Sequence, residues 1–176
     1  YLSIIKKYDK DMQTLISEIF AKIFILLSSQ IEFGFNDYLG EIYMRSDTSN
    51  SKAGQFFTPY SVSKLCAEMV IDAGTVSNFI KNDGVMTLNE PACGAGGMVL
   101  AAADVLYNKY DFNISRNLFV ECGDIDERCV VMTYLQLSLT GIPAVVYQRN
   151  SLTMETYDRW ETPAYIMQWL RFRKFG

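Results

Sequence analysis

The spacing of apolar and polar positions changes character once along the chain. Over residues 11–33, Leu15, Ile16, Ile19, Phe20, Ile23, Leu26 and Leu27 recur at helical spacing, with Gln13, Glu18 and Lys22 off the stripe. A shorter helix is expected over 35–44, and the polar stretch 46–51 reads as a loop. Ser61 is placed to cap a helix over 62–72, which Gly74 would stop. From residue 85 short apolar runs alternate with helical segments. Strands are expected over 85–88, 118–122 and 144–147, with helices over 98–110 and 127–139 between them. Strand–helix–strand–helix–strand at this spacing is the first half of a doubly wound parallel α/β sheet with right-handed crossovers.

Beyond residue 152 no β-branched run continues the pattern, and 162–171 read as a helix entered through Pro163. The sheet is therefore expected to stop after three parallel strands, leaving an edge of the first strand to be covered. This divides the chain into an N-terminal helical segment (1–50), an α/β domain (51–152) and a C-terminal helical tail (153–176).

Composition narrows the chemistry. The 176 residues, 49% hydrophobic and 20% charged, suit one globular domain with a core. There is no histidine, which removes Ser-His-Asp and Cys-His catalysis and His-ligated zinc. The formal net charge of −4 provides no global attraction to nucleic acid, so contact with DNA would need a local patch or a partner. Cys66, Cys93, Cys122 and Cys129 form no C-x-x-C pair and suggest no metal site; they read as reduced thiols of a cytoplasmic protein. The most apolar run, 19–27, is broken by Lys22 and falls well short of the roughly 20 residues a membrane span needs. The chain begins at Tyr1 rather than Met, which leaves its true start open.

The turn Gly94-Ala95-Gly96-Gly97 lies between a strand and a helix, where glycines let a ligand approach the backbone and the helix N-terminus favours negative charge. The plainer reading is a tight strand-to-helix turn. Asp124, at the end of the second strand, stands where such folds direct a carboxylate to ribose hydroxyls; the alternative is a charge at a helix N-terminus beside Asp126. Together the two point to an adenosine-containing ligand.

Gly54-Gln55-Phe56-Phe57-Thr58-Pro59 and Glu90-Pro91-Ala92-Cys93-Gly94-Ala95-Gly96-Gly97, in that order and followed by Asp124, resemble the methylation subunits of type I restriction-modification systems. More broadly, they resemble the N6-adenine DNA methyltransferase family. The likeness runs from about Asp37, through Asp37-Tyr38-Leu39-Gly40-Glu41-Ile42-Tyr43, to Leu152. It implies a Rossmann-like methyltransferase fold that binds S-adenosylmethionine. Phe57, Thr58 and Pro59 would close over the cofactor. Glu90, in place of the usual Asp, would face the methionine ammonium, and Pro91, Cys93, Gly94 and Gly96 would form the turn beneath it. Asp124 would bind the ribose, Ile125 would pack on the adenine, and Asn150 would lie near the adenine amino group.

The family's catalytic motif, [DN]-P-P-[FY] at the end of a fourth strand, has no full counterpart in the chain. Thr162-Pro163-Ala164-Tyr165 is the nearest string, which makes Thr162, Pro163 and Tyr165 a degenerate catalytic candidate. The resemblance thus implies adenine-N6 DNA methylation, with DNA reached through a partner subunit and a homodimer or hetero-oligomer as the assembly. The alternative is a catalytically inactive cofactor-binding or regulatory subunit that docks on a methyltransferase. A nicotinamide nucleotide ranks last because the full G-x-G-x-x-G spacing is missing. In the tail, Arg159, Arg171, Arg173 and Lys174 interleave with Trp160, Trp169, Phe172 and Phe175. That pattern could contact unstacked bases, but an aromatic helix face covering the open sheet edge is the favoured reading.

Overall fold

The computed structural model describes residues 2–46, 56–81 and 84–175, and side chains as far as residue 170. Most of the loop expected over 46–51 lies outside them, as do Gly54, Gln55 and the side chains of Arg171, Phe172, Arg173, Lys174 and Phe175.

The N-terminal region is helical, in more pieces than the spacing predicts. After the single turn α1 (Leu2–Ile5), Asp9 caps α2 (Lys10–Ser28) by accepting a 2.8 Å bond from the Met12 N–H. The helix does not run on to residue 33. Ser28 and Ser29 bond back to the carbonyls of Phe24 and Leu26, and the short α3 (Gln30–Phe33) follows. Only Leu27 of α2 is buried; Phe20 and Ile25 stand well exposed. The next helix, α4 (Tyr38–Arg45), starts three residues later than expected because Asp37 caps it, accepting from the Gly40 N–H at 2.9 Å.

α5 (Tyr60–Val70) begins after Pro59, not at Ser61, and no side chain caps it. Gly74 does not end the helical region. Asp72 accepts from the N–H and hydroxyl of Thr75, at 2.9 and 2.6 Å, and so starts α6 (Ala73–Lys81).

The sheet holds β1 (Met86–Glu90), β2 (Leu118–Asp124) and β3 (Ala144–Asn150) in parallel, in the order β1-β2-β3. α7 (Gly97–Tyr110), the single turn α8 (Ile114–Asn117) and α9 (Glu127–Leu139) make the crossovers. Both connections step the same way along the sheet, so right-handedness puts α7 and α9 on one face. There Leu88, Val120 and Val146 pack with Leu100, Val130 and Leu137 in a single core.

The expectation of three strands is corrected: a fourth, β4 (Glu155–Glu161), runs antiparallel to β3, with Val145 opposite Glu161 and Asn150 opposite Glu155. It is an edge strand with most of its side chains in solvent, so it carries no apolar alternation to betray it. A turn with Met154 at φ 61° closes the hairpin. α10 (Pro163–Phe175) then crosses the other sheet face, with Tyr165 against Phe119 of β2 (ring centroids 5.5 Å) and Gln168 Nε2 donating to the carbonyls of Arg116 and Leu118. It rests on β2 rather than on the edge of β1. Among the described residues β1 pairs with β2 alone, and its Thr87 and Asn89 are exposed. No helix among the described residues is long and apolar enough to cross a membrane.

Candidate functional site

The C-terminal end of β1 leads into the glycine-rich turn, which is pinned by the Cys93 N–H to the Gly123 carbonyl (2.9 Å) and by the Gly96 N–H to the Cys93 carbonyl (2.8 Å). Gly94 (φ 54°) and Gly96 (φ 100°) adopt left-handed backbone that a side chain would strain. The two are also crowded: a Cβ on Gly94 would lie 3.1 Å from the Phe57 ring, and one on Gly96 would lie 3.2 Å from Thr133 Oγ1. Thr133, from α9, donates to the Gly94 carbonyl at 2.8 Å. On the other side, Asp124 Oδ2 accepts from the Gly94 N–H at 3.0 Å while its Oδ1 accepts from the Asp126 N–H at 3.0 Å. Phe57, the glycine turn and the acid at the end of β2 therefore meet at one residue.

Beside this turn lies an open-mouthed cleft with about 380 Å³ of empty space, lined by Phe57, Thr58, Ser63, Asp37 and the glycine turn itself. Phe56 lines it too and is 75% exposed, unlike a core residue. The Phe57 ring is stacked on Tyr43, with centroids 5.5 Å apart. Asp37 is the one charged side chain lining the cleft among the described residues, although it is only 4% exposed. Its Oδ1 accepts from Gln136 Nε2 at 2.8 Å as well as from Gly40. The same Nε2 donates to the Ala95 carbonyl at 2.8 Å, and Gln136 Oε1 accepts from the Leu39 N–H at 3.2 Å. A fully buried glutamine thus joins α4, α9 and the glycine turn. Burial pushes the Asp37 carboxyl above the usual carboxylate range, against the opposing effect of the two hydrogen bonds, and Glu41 adds to the rise.

The remaining residues singled out by the resemblance are arranged around this centre. Thr58 lines the cleft, and Pro59 lines the adjoining hollow near Tyr60. Glu90 accepts from the N–H of Ala92 (3.1 Å), closing its own turn, and does not line the cleft. The Pro91 carbonyl accepts from the Ser151 hydroxyl of the β3–β4 turn. Cys93 is buried beneath the turn; its hydrogen bond and burial push the Cys122 thiol well up. Ile125 is 60% exposed beyond Asp124, and Asn150 Oδ1 accepts from the N–H groups of Leu152 and Thr153.

Thr162, Pro163 and Tyr165 are not brought to this centre. Thr162 Oγ1 donates to the Ile142 carbonyl and accepts from the Ala144 N–H, both at 2.9 Å, at the N-terminal end of β3. The glycine turn lies at the opposite, C-terminal end of the sheet. Thr162 is wholly buried and fastens the start of β3 to the end of β4, so its conformation answers to the fold.

Sequence reading assigned no role to Asp37, Ser63, Thr133 or Gln136. Asp37 stood only at the head of the matched stretch, and its spacing to Gly40 was the available sign of a cap. Gln136 and Thr133 sit in a helix whose polar positions carry no periodic mark.

Taken as a whole sequence, residues 35–173 match the family model for N-6 DNA methylase. The chain belongs to that family. No curated protein and no solved structure matches it. The methylase match covers the Asp37 cap, the glycine turn and the β4–α10 region alike. Members of the family use S-adenosylmethionine, and the cleft suits such a group on chemical grounds. Ser63 lines it, is wholly buried, and has a hydroxyl with no hydrogen-bond partner. An orphaned buried hydroxyl of this kind is costly unless a ligand meets it.

Proposed function

We propose that this chain binds S-adenosylmethionine across the C-terminal ends of β1 and β2 and serves as the cofactor-binding part of an adenine-N6 DNA methyltransferase. The observation that carries the reading is the convergence on Gly94 of Phe57, the glycine turn and Asp124. A carboxylate has about four acceptor positions, and Asp124 uses two of them on Gly94 and Asp126, so two remain for a pair of ribose hydroxyls. Exposed Ile125 offers an apolar surface to the adenine, and Asn150 stands beyond it at the end of β3. Phe57 and Thr58 close the methionine side and exclude water from it. The bound cofactor would supply an electrophilic methyl group on a sulfonium; the chain's own task is to hold and orient it.

A second reading is favoured by one specific observation. Thr162 and Tyr165 are engaged in the fold at the far end of the sheet, so the chain binds cofactor and transfers no methyl group by itself. A partner then supplies the catalytic strand and the DNA-reading surface, in a restriction-modification setting. The open edge of β1 and the exposed apolar residues of α2 suit a homodimer or hetero-oligomer. Four cysteines that form no disulfide suit the cytoplasm.

Calorimetric titration of S-adenosylmethionine into the wild type and Asp124→Ala tests cofactor binding. Binding to the wild type that weakens about tenfold or more in the variant is expected, the span of a charge-assisted hydrogen bond; no binding to the wild type would sink the reading. Transfer of labelled methyl to adenine-containing duplex DNA by the chain alone would sink the second reading and leave the first.

A further inference from the structure

The cleft between the Phe57–Thr58 segment and the glycine turn holds two polar side chains that the cap and the turn do not fully explain. Asp37 engages one carboxylate oxygen, Oδ1, with Gly40 and Gln136. Its Oδ2 lies between the starts of α4 and α7, where a Cβ added to Gly40 or to Gly97 would collide with it. Among the described residues no hydrogen bond reaches that oxygen. Ser63, one turn into α5, lines the same cleft with its buried hydroxyl unpartnered. Two helix N-termini flank these groups, those of α5 and α7, and neither is capped by a side chain. A buried acceptor of negative charge, a spare hydroxyl donor and uncapped helix starts are complementary to a zwitterion, positive at one atom and negative at another. The end of an S-adenosyl ligand that carries both charges is its amino-acid head.

Resting on the S-adenosylmethionine reading above, we infer that Asp37 and Ser63 clamp the amino-acid head of the ligand, Asp37 accepting from the α-ammonium and Ser63 donating to the α-carboxylate. Glu90 accepts from the Ala92 N–H of its own turn and does not line the cleft, which leaves Asp37 as the acid that does. The Asp37 carboxylate is also held in place before any ligand arrives, because Gln136 and Gly40 both bond its Oδ1.

The test is calorimetry on the full chain with three ligands. These are S-adenosylhomocysteine, its analogue with hydrogen in place of the ammonium, and 5′-deoxy-5′-methylthioadenosine, which lacks the whole head. Asp37→Asn keeps an acceptor for Gly40 and Gln136, and Ser63→Ala removes one hydroxyl, so both are expected to fold, with circular dichroism as the check. Asp37→Asn should weaken S-adenosylhomocysteine about ten- to a hundredfold, the span of a charge-assisted hydrogen bond. It should leave methylthioadenosine and the deaminated analogue within about twofold. Ser63→Ala should weaken both carboxylate-bearing ligands several-fold, and methylthioadenosine not at all. If Asp37→Asn weakened methylthioadenosine as much as S-adenosylhomocysteine, Asp37 would be structural and the inference overturned. It would equally be overturned if Glu90→Gln alone produced the selective loss. Wild-type binding of methylthioadenosine without any gain from the head would refute the clamp and leave the cofactor reading standing. Binding of none of the three would end both.

Discussion

Gln136→Leu is the perturbation that bears most directly on how the cleft is built. The side chain is wholly buried and makes three hydrogen bonds, two to the start of α4 (Asp37 Oδ1 and the Leu39 N–H) and one to the glycine turn (the Ala95 carbonyl). Leucine fills about the same volume but leaves a buried carboxylate, a carbonyl and an N–H without this partner. A bond to an ionised group contributes about 1.5–3 kcal/mol and a neutral one about 1 kcal/mol. With some apolar gain from leucine offset against them, the expected loss is about 4 kcal/mol. For a chain of this size that corresponds to a fall in melting temperature of roughly 8–16 °C. Urea unfolding followed by circular dichroism at pH 7 measures it, with an unchanged slope showing that the denatured state is the same. In an Asp37→Asn background the substitution should cost about 1–2 kcal/mol less, because the acceptor left behind is no longer charged. A loss below about 1 kcal/mol in the otherwise wild-type chain would refute the claim that Gln136 ties the cleft together.

Three further outcomes follow from the same geometry. The native Asp37 carboxyl titrates above its unfolded value, so its protonated form is the one that favours folding. Its contribution is full below the unfolded value and is lost as pH rises through the native one, with Glu41 and Tyr60 as titratable neighbours; urea midpoints across pH 4–8 should show a decline that Asp37→Asn flattens. Gly96→Ala forces a side chain into left-handed backbone against Thr133 and should cost about 1–3 kcal/mol by thermal unfolding. Thr162→Val should destabilise the chain by about 1–3 kcal/mol yet leave S-adenosylhomocysteine affinity unchanged in calorimetry; altered affinity would place Thr162 in the site after all.

The parallel half of the fold was legible because its signals are local and one-dimensional. The apolar runs at Leu118–Asp124 and Ala144–Asn150 lie in strands that are largely buried, and Gly94 and Gly96 mark the turn by the backbone they must adopt. β4 was missed because an edge strand owes its place to backbone pairing with β3, and exposed side chains such as Tyr157 need no pattern. The long N-terminal stripe was readable as a helix but not as an exposed one, since Phe20 and Ile25 look in sequence like any core residue. At the site, Gly94 and Asp124 could be named from motif and strand end. Asp37 could not, because its role depends on Gln136, about a hundred residues away, and on a glycine turn folded between them.

Among the described residues β1 pairs with β2 alone, which bears on how occupancy of the cleft can be read. In a strand bonded on one side only, alternate residues turn their N–H groups away from the partner, and such amides exchange with solvent through small local openings. The glycine turn is hung from the end of this strand, so a ligand that ties Gly94 to Phe57 and Asp124 also restrains the last residues of β1. Hydrogen exchange at Asn89 and Glu90 should therefore slow on ligand binding more than exchange in β2, which has strands on both sides. The least protected strand of the sheet becomes its most sensitive reporter.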